Sequence, residues 1–444
     1  MARRRRPKLP TEPITVEVTD LAHDGRGVGR VDGKAVFVHG ALPGETVTAR
    51  VIDVARKHDE AICQQVISAS PERVEPGCPW FNDCGGCALQ HLSHEGQLRW
   101  KHKRLVDNLE RLGEVSPAEW LPPISDEPWS YRRRARLSAR WVKAKDRVLV
   151  GFREPQGRFV ADVGHCPVLH PDFSHRLADL SELLGEMTVA KAVPQIETAS
   201  GDNGSAIVIR HLEPLAPEDL DRLRAWSAHH QIAIYLQPKG PTTVFRLCPE
   251  AHELHYRLDE FNLELAFHPQ HFIQVNARIN QKLIARALDL LALQGDERVL
   301  DLFCGLGNFT LPLATRAAHV TGIEGAAELI EAAKANARRN GLADKIELDV
   351  ADLTESVADR SWYRAGFDAV LVDPPRSGAL EILPVIAGCG ARRVVYVSCN
   401  PATLARDAGV LVRDHGFRLV SAGIADMFPH TAHVESIALF ERVE

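Results

Sequence analysis

The final 170 or so residues repeat one pattern that leaves few folds open: short apolar runs rich in β-branched residues alternate with longer amphipathic stretches. The runs 299–303, 319–324, 346–350, 369–373 and 394–398 predict five parallel strands. The stretch 326–340, with Glu328, Lys334 and Arg338 on its polar side, predicts the clearest crossover helix. Strands separated by helices run parallel, and a parallel sheet needs both faces covered. The expectation is a C-terminal doubly wound, Rossmann-like α/β domain that binds its ligand at the carboxyl ends of the strands. A last apolar run, 436–440, follows the five.

At about 100–200 residues per domain, 444 residues predict two to four domains. Residues 14–70 read as a small OB-like β-barrel, with strands at 14–18, 35–38, 46–51 and 62–66 and glycines read as turns between them. Asp24-Gly-Arg-Gly-Val-Gly-Arg30 and Ala41-Leu-Pro-Gly-Glu45 resemble the TRAM domain, an RNA-binding barrel. From 129 to 265 apolar runs (148–152, 206–209, 232–236) alternate with polar turns, which suggests an α+β middle domain. The expected division is a barrel at 11–70, a middle domain at 71–265 and a catalytic domain at 266–444. The basic helical part near 96–125, with Arg99, Lys101, Lys103 and Arg104, is expected to pack on the catalytic domain, and residues 117–128 read as proline-rich loop.

Composition excludes two classes. Apolar residues at 45% and charged residues at 25% do not fit a disordered chain, and no run nears the ~20 apolar residues of a membrane span. The basic run Arg3 to Arg6 meets Pro7 and Pro10 instead of an apolar stretch, so a secretory leader is not expected. A cytoplasmic monomer is the expectation.

The segment Val299-Leu-Asp301-Leu-Phe303-Cys-Gly305-Leu-Gly307-Asn308-Phe-Thr310 runs from an apolar strand through a glycine turn into a helix. Such a turn lets backbone approach a nucleotide-like ligand. Thr310 stands where a third glycine would complete a pyrophosphate cradle, which argues against a dinucleotide. Acids stand at or just after four strand ends: Asp301, Glu324, Asp352 and Asp373. That row suits a phosphate-free ligand with an ammonium, a ribose diol and an adenine amine, namely S-adenosylmethionine. Glu324 is expected on the ribose and Asp352 at the adenine edge.

Asp373-Pro-Pro-Arg376 is similar to the motif of enzymes that methylate exocyclic amines, but Arg376 stands in place of the stacking aromatic. Amine chemistry is therefore not indicated. The next strand ends Ser398-Cys399-Asn400-Pro401, which places a cysteine at the ligand edge of the sheet. Carbon 5 of a pyrimidine becomes nucleophilic only after a thiolate adds at carbon 6, and its hydrogen must then leave to a base. Cys399 is the candidate nucleophile, and Glu435, in His433-Val-Glu435, the candidate base.

Asp373-Pro-Pro-Arg376, Ser398-Cys-Asn-Pro401, His433-Val-Glu435 and Phe272-Ile-Gln274-Val-Asn276 together resemble the RNA uracil-C5-methyltransferase family, its 23S rRNA branch most closely. The resemblance implies a class I methyltransferase fold with Gln274, Phe303, Asn308, Glu324, Asp352 and Asp373 lining the methyl-donor site. It also implies Cys399 as nucleophile and Glu435 as base. The alternatives are a tRNA-directed enzyme of the same chemistry and a non-enzymatic RNA-binding scaffold.

Nine cysteines do not suggest a disulfide framework. Cys78-x5-Cys84-x2-Cys87 with the remote Cys166 could hold zinc or an iron–sulfur cluster; three clustered ligands and one remote one favour the latter. The family resemblance implies a [4Fe-4S] cluster on all four. Methyl transfer needs no electron, so its expected role is structural. Cys63, Cys248, Cys304 and Cys389 read as filler.

Between Asp126 and Arg158 ten basic residues face four acidic ones, in a chain of net charge −6. Arg132, Arg133, Arg134 and Arg136 lead that run, interleaved with Trp129, Tyr131 and Trp141. Arginines for phosphate and aromatics for stacking suit single-stranded RNA.

Overall fold

The computed structural model describes residues 9–155, 157–355, 357 and 360–443; the basic run at Arg3–Arg6 lies outside them. The chain packs as two compact units. One holds Met1–Lys101, Arg153–Ala161 and Pro429–His433; the other holds His102–Phe152, Asp162–Phe428 and Val434–Glu444.

The first unit contains a closed five-stranded barrel of Ile14–Leu21, Gly27–Val31, Lys34–His39, Thr46–Val54 and His58–Ser68. Alternating residues (Val16, Val18, Val36, Val38, Val47, Ala49, Ala61) fill it. Here the glycine reading needs correction, because Gly27 and Gly29 lie inside a strand and not in a turn. A Cβ at Gly27 would come within 2.8 Å of both the Ala41 carbonyl and Val18, so glycine is what lets the strand approach its neighbours. Glu45 of the TRAM-like motif is buried and accepts from Leu42 N at 2.8 Å, Ser70 N at 3.2 Å and Arg73 Nε at 2.5 Å. Its carboxylate is a clasp between barrel and connector.

The second unit carries an eight-stranded sheet in the order Ile346–Val350, His319–Glu324, Arg298–Leu302, Ala369–Val372, Arg393–Ser398, Glu435–Arg442, Phe417–Ala425, Glu119–Trp120. Adjacent pairs among the first five strands are parallel, as the periodicity predicts, and Glu435–Arg442 inserts antiparallel beside Arg393–Ser398. This is the class I methyltransferase sheet, with strand order reversing beside Arg298–Leu302. The stretch read as proline-rich loop supplies Glu119–Trp120 as an edge strand. A second, six-stranded sheet contains Arg134–Val142, Gln195–Ser200, Ser205–Arg210 and Ile232–Gln237. A two-stranded ribbon, Leu254–Leu258 with Leu263–Phe267, is tied to the helix Ala327–Arg339 and its cap: Glu264 N donates to Asn340 and Ala266 N to Asn336. No helix among the described residues is long and apolar enough to cross a membrane.

Candidate active site

Sheet register brings the candidate nucleophile and the candidate base together. Ser398 and Ser436 are paired across adjacent antiparallel strands, so Cys399 and Glu435 are the next two residues out, facing one another at the ligand edge. Glu435 is buried and Cys399 half-buried. Burial pushes the Cys399 thiol up to about 11, with the Glu435 and Asp373 charges adding and Arg376 opposing. Burial and then Asp373 hold Glu435 well above the usual carboxyl range, again against Arg376. Asp373 itself is raised by burial to about 7.

On the other side of Asp373, the strand Arg298–Leu302 ends in a tight cup. Phe303 adopts φ +65°, Gly305 +57° and Gly307 +98°, three left-handed residues in five. Phe303 has no glycine's freedom, so its backbone strain is held by the surrounding structure. Gly305 N donates to Glu324 Oε2 at 3.2 Å and Ala326 N to Glu324 Oε1 at 3.1 Å. Asp301 is buried, accepts from Thr310 Oγ1 at 2.6 Å, and has no partner for Oδ1 among the described residues. Burial, with Asp373 and Glu324 adding, raises it to about 8. An orphaned buried carboxylate oxygen among further acids fits a cationic ligand, and S-adenosylmethionine carries an ammonium and a sulfonium.

Asn308 is held by residues that the sequence did not reveal. Its Oδ1 accepts from Tyr256 Oη and Asn280 Nδ2, both at 2.9 Å, and its Nδ2 donates to Asn280 Oδ1 at 3.0 Å. Tyr256 comes from the ribbon and Asn280 from the helix Ala277–Leu291. An asparagine beside Ile279 and Leu283 on that helix's buried face was the available signal. Gln274, Tyr256 and Asn280 line a small cleft, while Phe272 stands exposed. Asp352 is exposed and accepts from Thr354 N and Oγ1 at 2.9 and 2.7 Å.

The four arginines read as RNA contacts differ in place. Arg133 pairs with Asp202, and Arg134 binds the Gln270 and His271 carbonyls and Glu197. Arg132 Nε donates to the Arg134 carbonyl at 3.1 Å. Arg136 is 70% exposed although Glu197 lies 2.9 Å away. Cys78, Cys84, Cys87 and Cys166 are all half-buried, and burial pushes the Cys78 and Cys84 thiols up. Among the described residues, no three His, Cys, Asp or Glu side chains stand as a group that could hold a metal ion.

The raised carboxyls predict a pH effect on stability. Asp301 and Asp373 ionise near 4 when unfolded but at about 8 and 7 when folded. Between those limits the folded state binds more protons, so stability is greatest on the acid side and falls as pH rises. Thermal unfolding of the ligand-free protein should move to lower temperature from pH 6 to pH 8 and then level. S-adenosylhomocysteine, whose ammonium offsets the acids, should reduce the slope. A melting temperature that climbs over that range would contradict the assignment.

Comparison with known proteins gives the family. The family model described as tRNA (Uracil-5-)-methyltransferase matches residues 247–443, and the TRAM domain model matches residues 8–61. A 23S rRNA (uracil(1939)-C(5))-methyltransferase RlmD of Alkalilimnicola ehrlichii is 50% identical over 443 residues, covering 100% of this chain and 99% of that protein. The Hahella chejuensis protein of the same name is 48% identical over 446 residues, 99% of each. The crystal structure of Pyrococcus abyssi tRNA (uracil-54, C5)-methyltransferase in complex with S-adenosyl-L-homocysteine superposes with a TM-score of 0.74 at 25% identity, covering 96% of this chain and 100% of that one.

Proposed function

The chain belongs to the RNA uracil-C5-methyltransferase family, and on that footing we propose that it converts a uracil of 23S rRNA to 5-methyluridine using S-adenosylmethionine. The target is the uracil corresponding to the one that the relatives' names number 1939. The observation that carries this reading is the Cys399–Glu435 pair on neighbouring strand ends, beside the acidic cup.

Asp301, Phe303, Asn308, Glu324 and Gln274 would hold the methyl donor, with Asp352 at the rim and Asp373 between donor and base. When bound, the donor supplies the methyl group as an electrophile to carbon 5. Cys399, which is partly exposed, loses its proton to solvent; its sulfur bonds to carbon 6 of the flipped uracil, and the pair of the opened 5,6 double bond leaves carbon 5 electron-rich. After methylation Glu435 takes the hydrogen from carbon 5, the double bond re-forms, and the thiolate leaves. The barrel and the arginine run, Arg132, Arg133, Arg134 and Arg136, would supply the RNA surface, the exposed Arg136 making phosphate contact and the others shaping the strand. The expected cellular setting is the cytoplasm, where the rRNA is.

Full-length identity to rRNA enzymes favours rRNA over tRNA as substrate. Mass mapping of 5-methyluridine in 23S rRNA and in tRNA, from cells with and without the gene, tests this. Loss of the mark from 23S rRNA alone is expected. Loss from tRNA alone would assign the tRNA reading, and no loss from either would leave the scaffold.

We further propose that Cys78, Cys84, Cys87 and Cys166 hold a [4Fe-4S] cluster. What supports it is the donor set: four cysteines, three of them within ten residues, with the spacing of cluster ligands. Protein purified without oxygen should be brown, and Cys84→Ala should lose both the visible absorption and thermal stability. A colourless protein with one equivalent of zinc would overturn the assignment.

A further inference from the structure

The loop after the strand Ala369–Val372 lies flat on the start of the helix Pro401–His415, and four residues of that helix and its cap bind the loop's backbone. Asn400 Nδ2 and Thr403 Oγ1 both donate to the Arg376 carbonyl, at 3.1 and 3.4 Å. Arg406 Nη2 donates to the Ser377 carbonyl at 2.9 Å. Asp407, fully buried, accepts from Ala379 N at 2.8 Å and from the Tyr396 hydroxyl at 2.7 Å through Oδ2, and from Arg406 Nε at 2.8 Å through Oδ1.

Gly378 shows how close the fit is. Its φ is +86°, and a Cβ there would sit 2.5 Å from Arg406 Nη2 and 2.6 Å from Asp407 Oδ2. Only glycine allows that approach. A buried carboxylate with three donors is a rigid anchor, because each bond is strengthened by charge and by the low dielectric around it.

The anchored loop begins with Arg376. Three charged groups act on Cys399: Glu435 and Asp373 disfavour its thiolate, and Arg376 favours it. The loop and the cysteine thus meet through one helix, whose cap, Asn400, follows Cys399 directly.

We propose that Asp407 is a positioning residue that acts through the 376–379 backbone to hold the Arg376 guanidinium beside Cys399. The inference rests on Cys399 being the nucleophile, but it concerns what makes that thiol ionise. Neither Asp407 nor Tyr396 reaches substrate in this account.

The test is alkylation of Cys399 by iodoacetamide in the purified full-length protein, followed on the Cys399 peptide by mass spectrometry from pH 6 to pH 10. Asp407→Asn keeps the size but turns an amide toward donors that need an acceptor. Its apparent thiol pKa should rise by about one unit, the size expected when an opposite charge moves away. That means about tenfold slower alkylation at neutral pH, while affinity for S-adenosylhomocysteine is unchanged. Arg376→Met should show the same rise, and the double variant no more than either alone, since one acts through the other. If Asp407→Asn does not fold, Gly378→Ala displaces the loop without removing a charge, and the same rise is expected.

An unchanged alkylation profile with a lowered melting temperature would make Asp407 a structural anchor only and overturn the proposal. So would additive effects of the two substitutions. Failure of the nucleophile assignment shows separately, as methylation that survives Cys399→Ala.

Discussion

Cys399→Ala is expected to abolish 5-methyluridine formation and the covalent RNA adduct while leaving S-adenosylhomocysteine binding intact. The thiol sits at the end of Arg393–Ser398, whereas the donor cup is built at Arg298–Leu302 and His319–Glu324. Removing the sulfur therefore takes nothing from the cup. Without it carbon 5 never becomes nucleophilic, and the loss should be on the order of 10⁶-fold, as for other catalytic nucleophiles. In the unaltered protein, burial and the neighbouring acids keep the thiol protonated at neutral pH, with Cys399 pushed up to about 11. Turnover should accordingly rise with pH across the neutral range. Single-turnover methylation of a 23S rRNA fragment by wild type and variant checks both statements.

Glu435→Gln separates the two halves of the reaction. Thiolate addition and methyl transfer use no base at carbon 5, whereas loss of the hydrogen does. The glutamine keeps shape but accepts no proton, so the variant should methylate once and remain bonded to the product. Turnover should fall by about 10²–10⁴-fold, the usual contribution of a general base. A denaturing gel should show RNA and protein migrating together, with label from the methyl donor. The substitution also removes one of the two acids that oppose the thiolate, so adduct formation should be no slower than in wild type. Normal turnover by this variant would transfer the base role to another group.

The sheet was legible because its inner parallel strands Arg298–Leu302, Ala369–Val372 and Arg393–Ser398 are largely apolar runs, as burial on both faces demands, while the edge strand Ile346–Val350 alternates apolar and acidic residues. Phe417–Ala425 was not, since Ser421, Ala422 and Gly423 dilute its apolar signal although the strand is almost wholly buried. Glu119–Trp120 was invisible: two residues among prolines become a strand only because Ser421 and Ala422 offer an edge. In the barrel, Gly27 and Gly29 looked like turn residues because close strand approach and tight turning select the same amino acid.

The site shows the same division. Cys399 and Glu435 could be read because each adjoins an apolar strand, and their facing is a consequence of register. Tyr256 and Asn280 converge on Asn308 from other segments, a tertiary fact with no local pattern. Charge counting over a local window does not show how the arginine run is paired. Arg133 and Arg134 are engaged by Asp202 and Glu197, acids more than sixty residues downstream that a local window does not contain.

The central claim is a covalent Cys399–uracil mechanism on 23S rRNA, and one trapping measurement addresses it directly. Fluorine at carbon 5 cannot leave as a proton, so an enzyme that proceeds through the thiol adduct is held at the methylated intermediate. The full-length protein is incubated with S-adenosylmethionine and either a 23S rRNA fragment or tRNA, each containing 5-fluorouridine, and digested to peptides and nucleotides. The account predicts one cross-linked species, from the 23S rRNA reaction, consisting of the Cys399 peptide bonded to a methylated fluorouridine. A cross-link to a different cysteine, a cross-link formed with tRNA alone, or methyl transfer to an unsubstituted RNA without any trapped species on the fluorinated one would contradict it.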